Sequence, residues 1–141
     1  MCRIAIGTEA GLSYLIDTNI AIHAINGDDR AIEKFIEHDG EILISVLSVA
    51  ELQRGVYKHP LHSVLRKARM DILLRNIPIL PFDTAAAEAY GQIIGQCGWV
   101  KGRDFDRMIA AHALATSSIM VTANTRDFRD VPGLKLEDWG F

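Results

Sequence analysis

Cysteine is nearly absent from this 141-residue chain: two thiols, Cys2 and Cys97. Two cysteines build no disulfide framework and offer no zinc-type ligand spacing, and they suit a reducing, cytoplasmic setting. No apolar run approaches the ~18 residues a membrane span needs. The opening Met1-Cys2-Arg3-Ile4-Ala5-Ile6-Gly7 lacks the long apolar core of a secretory signal. Internal repeats, low-complexity tracts and a glycine-rich phosphate loop are also missing. The basic excess of a general nucleic-acid clamp is missing too, since 15 Lys and Arg face 18 Asp and Glu for a net charge of −3.

What is present is an ordinary globular composition, 49% hydrophobic and 23% charged, in a length that suits one domain over 1–141 with a substantial core. Apolar runs alternate with amphipathic stretches. Tyr14–Ile16, Glu41–Ser45, Ile77–Phe82 and Ile119–Thr122 read as strands. The tail from Leu134 to Phe141 reads as an edge strand. Helical spacing covers Thr18–Ile25, a stretch capped by Asp28 or Asp29 with an Ile32, Phe35, Ile36 stripe, and a stretch begun by Ser48. It returns from Leu61 to near Asn76, with Val64, Leu65, Ala68 and Ile72 on one face, and again over Thr84–Cys97 and Asp104–Ser117. Strands alternating with helices imply a mainly parallel sheet covered on both faces, a three-layer α/β/α sandwich. The first thirteen residues fit this pattern poorly and read as an N-terminal extension, with Ile4-Ala5-Ile6 either a strand or unstructured.

Three acids stand where such a sheet binds ligands, at strand ends and helix starts. Asp17 follows the first strand, and its local sequence fits either a helix cap or a site carboxylate. Glu51 lies in Ser48-Val49-Ala50-Glu51, which equally matches a capping box. Asp104 and Asp106, two residues apart, face about 200° from each other. Asp106 then shares a stripe with Ile109, Ala110 and Ala113, and Asp104 falls with Arg107, Met108 and Ala111. Asp106 is therefore the acid expected to point inward. Asp127, beyond the last strand, is either a loop residue or a fourth acid. Thr18, Asn19, Thr122 and Asn124 supply polarity beside these positions.

Converging carboxylates repel one another and call for a hard cation, Mg²⁺ or Mn²⁺, which lowers the pKa of a bound water and offsets charge on a phosphoryl oxygen. That chemistry suits phosphodiester hydrolysis. The stretch holding Arg54, Lys58, Arg66, Lys67, Arg69 and Arg75 against only Asp71 adds local attraction for phosphate. Its alternative is a solvated helix face. His59 and His62 read as surface residues, His112 as packed, and Trp99 as packing, with base stacking or a dimer contact as its alternatives.

The ordered set Tyr14-Leu15-Ile16-Asp17-Thr18-Asn19, Ser48-Val49-Ala50-Glu51-Leu52, Phe105-Asp106-Arg107-Met108-Ile109-Ala110-Ala111-His112-Ala113 and Val121-Thr122-Ala123-Asn124-Thr125-Arg126-Asp127-Phe128 resembles PIN-domain ribonucleases of the VapC toxin type. The closing Pro132-Gly133-Leu134 and Glu137-Asp138-Trp139 extend the likeness across nearly the whole chain. The resemblance implies a Mg²⁺- or Mn²⁺-dependent endoribonuclease, homodimeric and held inactive by a VapB-type antitoxin whose tail fills the active groove. Operator DNA is met only through that antitoxin. Asp17, Glu51 and Asp106 match the three acidic positions of the family, as catalytic residues and metal ligands. The fourth departs: many members carry an acid where this chain has Asn124, so Asp127 either fills that role or the site has three acids. Arg54, Arg66, Lys67 and Arg69 become candidates for contact with RNA or antitoxin. Two rivals remain at this stage. A phosphoacceptor signalling domain would want paired acids and a late lysine, where Ile16-Asp17 and Ala123-Asn124 offer neither. A catalytically silent antitoxin-paired module would not need the three acids.

Overall fold

The computed structural model describes residues 12–141. The expected pairing of Ile4-Ala5-Ile6, the extension that contains it, and Cys2 lie outside the described residues. Strand β1 (Tyr14–Ile16) leads into α1 (Thr18–Ile25) and α2 (Asp29–Glu37). Strand β2 (Ile42–Ser45) precedes α3 (Val46–Lys58), a 3₁₀ turn at Pro60–His62, and α4 (Ser63–Arg75). Then follow β3 (Ile79–Leu80), α5 (Thr84–Cys97), α6 (Asp104–Ala115), β4 (Ile119–Val121), a 3₁₀ turn at Thr125–Phe128, and β5 (Leu136–Glu137). The sheet runs β3-β2-β1-β4-β5 with every pairing parallel.

Alternation along the strands divides two apolar layers. Tyr14 and Ile16, with Ile42, Ile44 and Val121, pack against Ile20, Leu52, Val56 and Met70 from α1, α3 and α4. Leu15 and Met120 turn the other way, onto Ile93, Ile109, Ala110 and Ala113 from α5 and α6. Period-2 side-chain geometry thus makes the three-layer α/β/α sandwich. The small residues of α6 let that helix lie close to the sheet, and Ala110, Ala111 and Ala113 are fully buried.

From the central β1 the chain builds outward to β2 and β3 on one side, then crosses to β4 and β5 on the other. The strand order therefore reverses between β1 and β4, and at such a switch point the helices diverge and leave a crevice beyond the strand ends. Asp17 ends β1 and Thr122 ends β4, both at that crevice.

Three expectations need correction. Helix α3 starts at Val46 and is capped by Ser45, whose side chain accepts from Leu47 N at 3.1 Å. Ser48 is therefore inside the first turn, and no Ser48–Glu51 capping box forms. On α4, Val64, Leu65, Ala68 and Ile72 are exposed, and Met70, Leu73 and Leu74 pack inward. In α2 the stripe is likewise shifted: Ala31 is buried and Phe35 packs, while Ile32 and Ile36 face solvent. Helical period fixes which residues share a face but not which of two apolar faces meets the core. The exposed Ile32, Ile36 and Ile72 open an apolar groove of about 680 Å³ between α2 and α4.

Candidate active site

Asp17 is buried at the end of β1, where its backbone N–H donates to Val121 O at 3.0 Å and its Oδ1 accepts from Ile20 N at 3.0 Å. It caps α1 and stands in the crevice as well, so the two roles that the sequence left open coexist in one side chain. Burial pushes its carboxyl above the ordinary aspartate range against the bonds from the Thr122 hydroxyl and the α1 N–H groups, and nearby Asp106 pushes it further up.

Glu51 reaches the same crevice from α3. The Thr18 hydroxyl donates to Glu51 Oε1 and lies 2.9 Å from Ser48 Oγ. The polarity of Thr18 and Ser48 thus orients this acid rather than capping a helix. Its carboxyl is also raised, first by burial and then by Asp106 and Asp17, with Arg54 opposing at 3.7 Å.

Asp106 comes from the first turn of α6. It is exposed and lines the cleft rather than the core, which corrects its expected inward direction. Desolvation by the cleft wall raises its carboxyl, and Asp127 adds to the effect. Asp104 points to the other side of the helix as the 200° separation requires, accepting from Tyr90 Oη at 2.5 Å and Trp99 Nε1 at 2.9 Å. Arg107, expected with Asp104 on the outer set, is instead buried, and its guanidinium donates twice to Asp130.

Asp17, Glu51 and Asp106 thus line one cleft of about 300 Å³ with Thr18, Asn19, Arg54 and Lys58. Asp127 does not line it: it stands in a neighbouring polar hollow with Asn124, Arg126 and Arg129, and Arg103 approaches it at 3.9 Å. Thr122 is fully buried and accepts from Asn124 N at 3.0 Å while its hydroxyl supports Asp17.

The basic stretch divides. Arg54 stands at the cleft, Arg66 donates to Gly55 O at 3.2 Å, Lys67 pairs with Asp71 at 2.8 Å, and Arg69 lines the apolar groove. Lys58 joins the cleft, although by sequence it reads only as part of the basic run. The signal was available: seven residues separate it from Glu51, which returns to the same helix face within ~20°.

His112 is packed as expected. Its Nδ1 is 2.9 Å from Ser45 Oγ, Phe82 meets it edge-on, and burial lowers its pKa. Ser45 therefore caps α3 and joins it to α6 in one contact. Ser45→Ala should cost about 1–2 kcal/mol from the lost cap and the orphaned imidazole nitrogen. Thermal melting checks this; an unchanged midpoint would refute the bridge.

The donor set fits a hard divalent cation by chemistry, with carboxylate oxygens and no soft ligand at the cleft. Among the described residues no three acidic, histidine or cysteine side chains stand close enough to grip an ion directly. Mg²⁺ rarely asks for that: it keeps several waters and takes one or two carboxylates. All three acids are raised first by burial and then by a neighbouring carboxylate, and a hydrated cation would offset both costs of keeping them charged.

The PIN domain family matches residues 14–134. The ribonuclease VapC2 of Rickettsia felis is 33% identical over 132 residues, spanning 89% of this chain and 97% of that protein. The tRNA(fMet)-specific endonuclease VapC of Shigella flexneri is 36% identical over 132 residues, covering 91% and 98%. Among solved structures, VapBC2 from Rickettsia felis bound to a DNA fragment from its promoter superposes with a TM-score of 0.82 at 32% identity, over 92% of this chain and 100% of that chain.

Proposed function

The chain belongs to the PIN domain family, and from that membership we propose that it is the RNA-cleaving toxin of a toxin–antitoxin pair, hydrolysing phosphodiester bonds at the cleft of Asp17, Glu51 and Asp106. The observation that carries the proposal is the meeting of three acids from three separate elements in one cleft at the switch point of the sheet. Relatives that cover almost the same length are named ribonucleases and endonucleases.

Each residue has a physical task. Asp17, pinned by the Thr122 hydroxyl and the Ile20 N–H, is a rigid ligand at the cleft floor. Glu51 is steered by Thr18 and shielded by Arg54. Asp106 completes the wall from α6. Arg54 and Lys58 at the rim hold the phosphate of an incoming strand and offset the acid charge that would repel it. Asp17, Glu51 and Asp106 are the carboxylates that would hold a hydrated Mg²⁺ or Mn²⁺, in part through its retained waters, with Asp127 in the neighbouring hollow; the ion would supply Lewis acidity toward water and phosphoryl oxygen.

A VapB-type antitoxin is the natural partner, as in the complex from Rickettsia felis. The apolar groove beside Ile32, Ile36 and Ile72 offers surface for it, since exposed apolar area of this kind calls for a partner. Arg69 in that groove and Arg54 at the cleft would meet its acidic groups. A homodimer that touches operator DNA only through the antitoxin, in the cytoplasm, completes the proposal. No helix of the described residues is long and apolar enough to cross a membrane.

The test is to map RNA ends in cells after brief expression, with Asp106→Asn as control. New ends at a few sequence-defined positions, absent from the control, are expected. Identical end profiles from the two proteins would sink the assignment.

A further inference from the structure

We propose that Trp99 is a stacking platform for a nucleobase of the RNA strand that enters the cleft, a refinement that rests on the ribonuclease function proposed above. By sequence Trp99 reads as packing, with base stacking or a dimer contact as alternatives; the structure leaves it 58% exposed, which removes the first. Among the described residues no aromatic ring packs on it, whereas Trp139, the other tryptophan, is buried against Tyr14 and His38.

The indole is nonetheless held in place. Its Nε1 donates to Asp104 Oδ1 at 2.9 Å, and Tyr90 Oη donates to the same oxygen at 2.5 Å. The loop that presents it is bounded by Gly98 and Gly102, at φ +82° and +86°, a region that only glycine enters without strain. Gly98 also closes α5 through its N–H to Ile94 O. A large apolar ring whose polar edge is satisfied and whose body faces water is a preorganised contact, since little freedom remains to be lost on binding.

Its surroundings bear on the occupant. Lys101 and Arg103, both exposed, follow within four residues, Arg103 lying 3.9 Å from Asp127, and Arg126 and Arg129 line the polar hollow that also holds Asp127 and Asp138. Among the described residues neither Arg126 nor Arg129 forms a salt bridge. An aromatic ring among cations is the pattern of single-stranded nucleic-acid sites, where bases stack and the backbone is held by charge. A twofold contact between two copies centred on this loop would set Lys101 and Arg103 against their own equivalents, which disfavours a second copy as occupant. Trp99 and the cleft share the first turn of α6: Asp104 holds the indole and Asp106, two residues on, lines the cleft.

Tryptophan emission supplies the readout. In the cleavage-inactive Asp17→Asn protein, bulk transfer RNA should quench emission, and the buried Trp139, bonded to Glu137, should contribute little to the change. Trp99→Leu should bind this RNA ~10-fold more weakly, the loss of one base–aromatic stack, with an unaltered melting temperature. Trp99→Phe should lose no more than ~3-fold, because stacking survives in a smaller ring. Equal affinity for Trp99→Leu, or emission indifferent to RNA, would overturn the platform. Emission that follows protein concentration without RNA would also overturn it and assign Trp99 to a contact between copies. The same RNA is given to the unsubstituted protein with Mg²⁺ or Mn²⁺. Cleavage there alongside normal binding by Trp99→Leu overturns the stacking site alone; neither binding nor cleavage overturns the ribonuclease function beneath it.

Discussion

Asp17→Asn should lower RNA cleavage by at least ~10³-fold and raise the melting temperature of the metal-free protein. The two effects have one cause. Asp17 is buried, its carboxyl is raised by burial and by Asp106, and the charge that makes it a ligand is unfavourable in the folded state without a cation. Asparagine keeps the shape and an oxygen for the Ile20 N–H, and it caps a helix as well as aspartate does. What it removes is the negative charge. Loss of an essential preorganised charge at a reacting centre is worth about 10³ in rate or more. Relief of the buried charge, and of its repulsion by Asp106, should add roughly 2–5 °C, about 1 kcal/mol in a chain of this size.

Divalent cation should reverse the order of stability. An ion that binds only the folded protein stabilises it by mass action, so Mg²⁺ or Mn²⁺ should raise the midpoint of the parent and leave Asp17→Asn nearly unchanged. The sign in pH agrees. Acids raised in the folded state bind protons more tightly there than in the unfolded chain, so the metal-free protein gains stability from this cluster as pH falls through the raised native values toward the ordinary 3.8 of Asp17 and Asp106 and 4.5 of Glu51. Paired melting curves with and without cation decide the matter. A variant that melts below the parent without metal, or that retains cleavage, would refute the account.

Much of this arrangement is legible in the sequence. Strand and helix periods announced the layers, and the polar positions after Tyr14-Leu15-Ile16 and Ile119-Met120-Val121 marked the sheet edge where the cleft opens. Periodicity also put Asp104 and Asp106 on opposite sides of α6, but did not identify which side is the core: Asp106 lines the open cleft, and Arg107 and Ala111, which fall with Asp104, are buried. It failed where two faces of one helix are both apolar. On α4 the sequence offers Val64, Leu65 and Ile72 as well as Met70, Leu73 and Leu74, and only tertiary packing selects the second set. Capping was ambiguous at α3 for a similar reason, because Ser45 and Ser48 are both acceptable caps and the strand end decides between them. Arg107 shows the deepest limit. Its partner Asp130 is 23 residues away, a long-range pairing that helical spacing does not encode.

That pair carries the second large expected effect. Asp130→Ala should destabilise the protein by about 3 kcal/mol, roughly 10 °C in midpoint for a chain of this size, although it removes a half-exposed side chain. Arg107 is buried, and both its Nη1 and Nη2 donate to the Asp130 carboxylate, at 3.0 and 2.8 Å. Two parallel charge-assisted bonds hold the guanidinium fork. Taking away the acid leaves a desolvated cation with no counter-charge, which costs more than any surface pair contributes. The guanidinium holds the Asp130 carboxyl below the usual aspartate range. This stabilisation is therefore complete above the ordinary 3.8 and is lost only as pH falls through the lower native value, so the deficit of the variant should be constant at neutral pH. Arg107→Met combined with Asp130→Ala should recover most of the loss, because an apolar chain of similar length then fills the space without a charge. A single Asp130→Ala variant that melts within 1 °C of the parent, a margin of about 0.3 kcal/mol, would show that Arg107 finds water or another acceptor. Cleavage should suffer alongside stability, since Arg107 adjoins Asp106 on α6 and its partner closes the segment carrying Arg126, Asp127 and Arg129. The pair therefore ties the helix that supplies one acid of the cleft to the segment that carries the polar hollow of Arg126, Asp127 and Arg129.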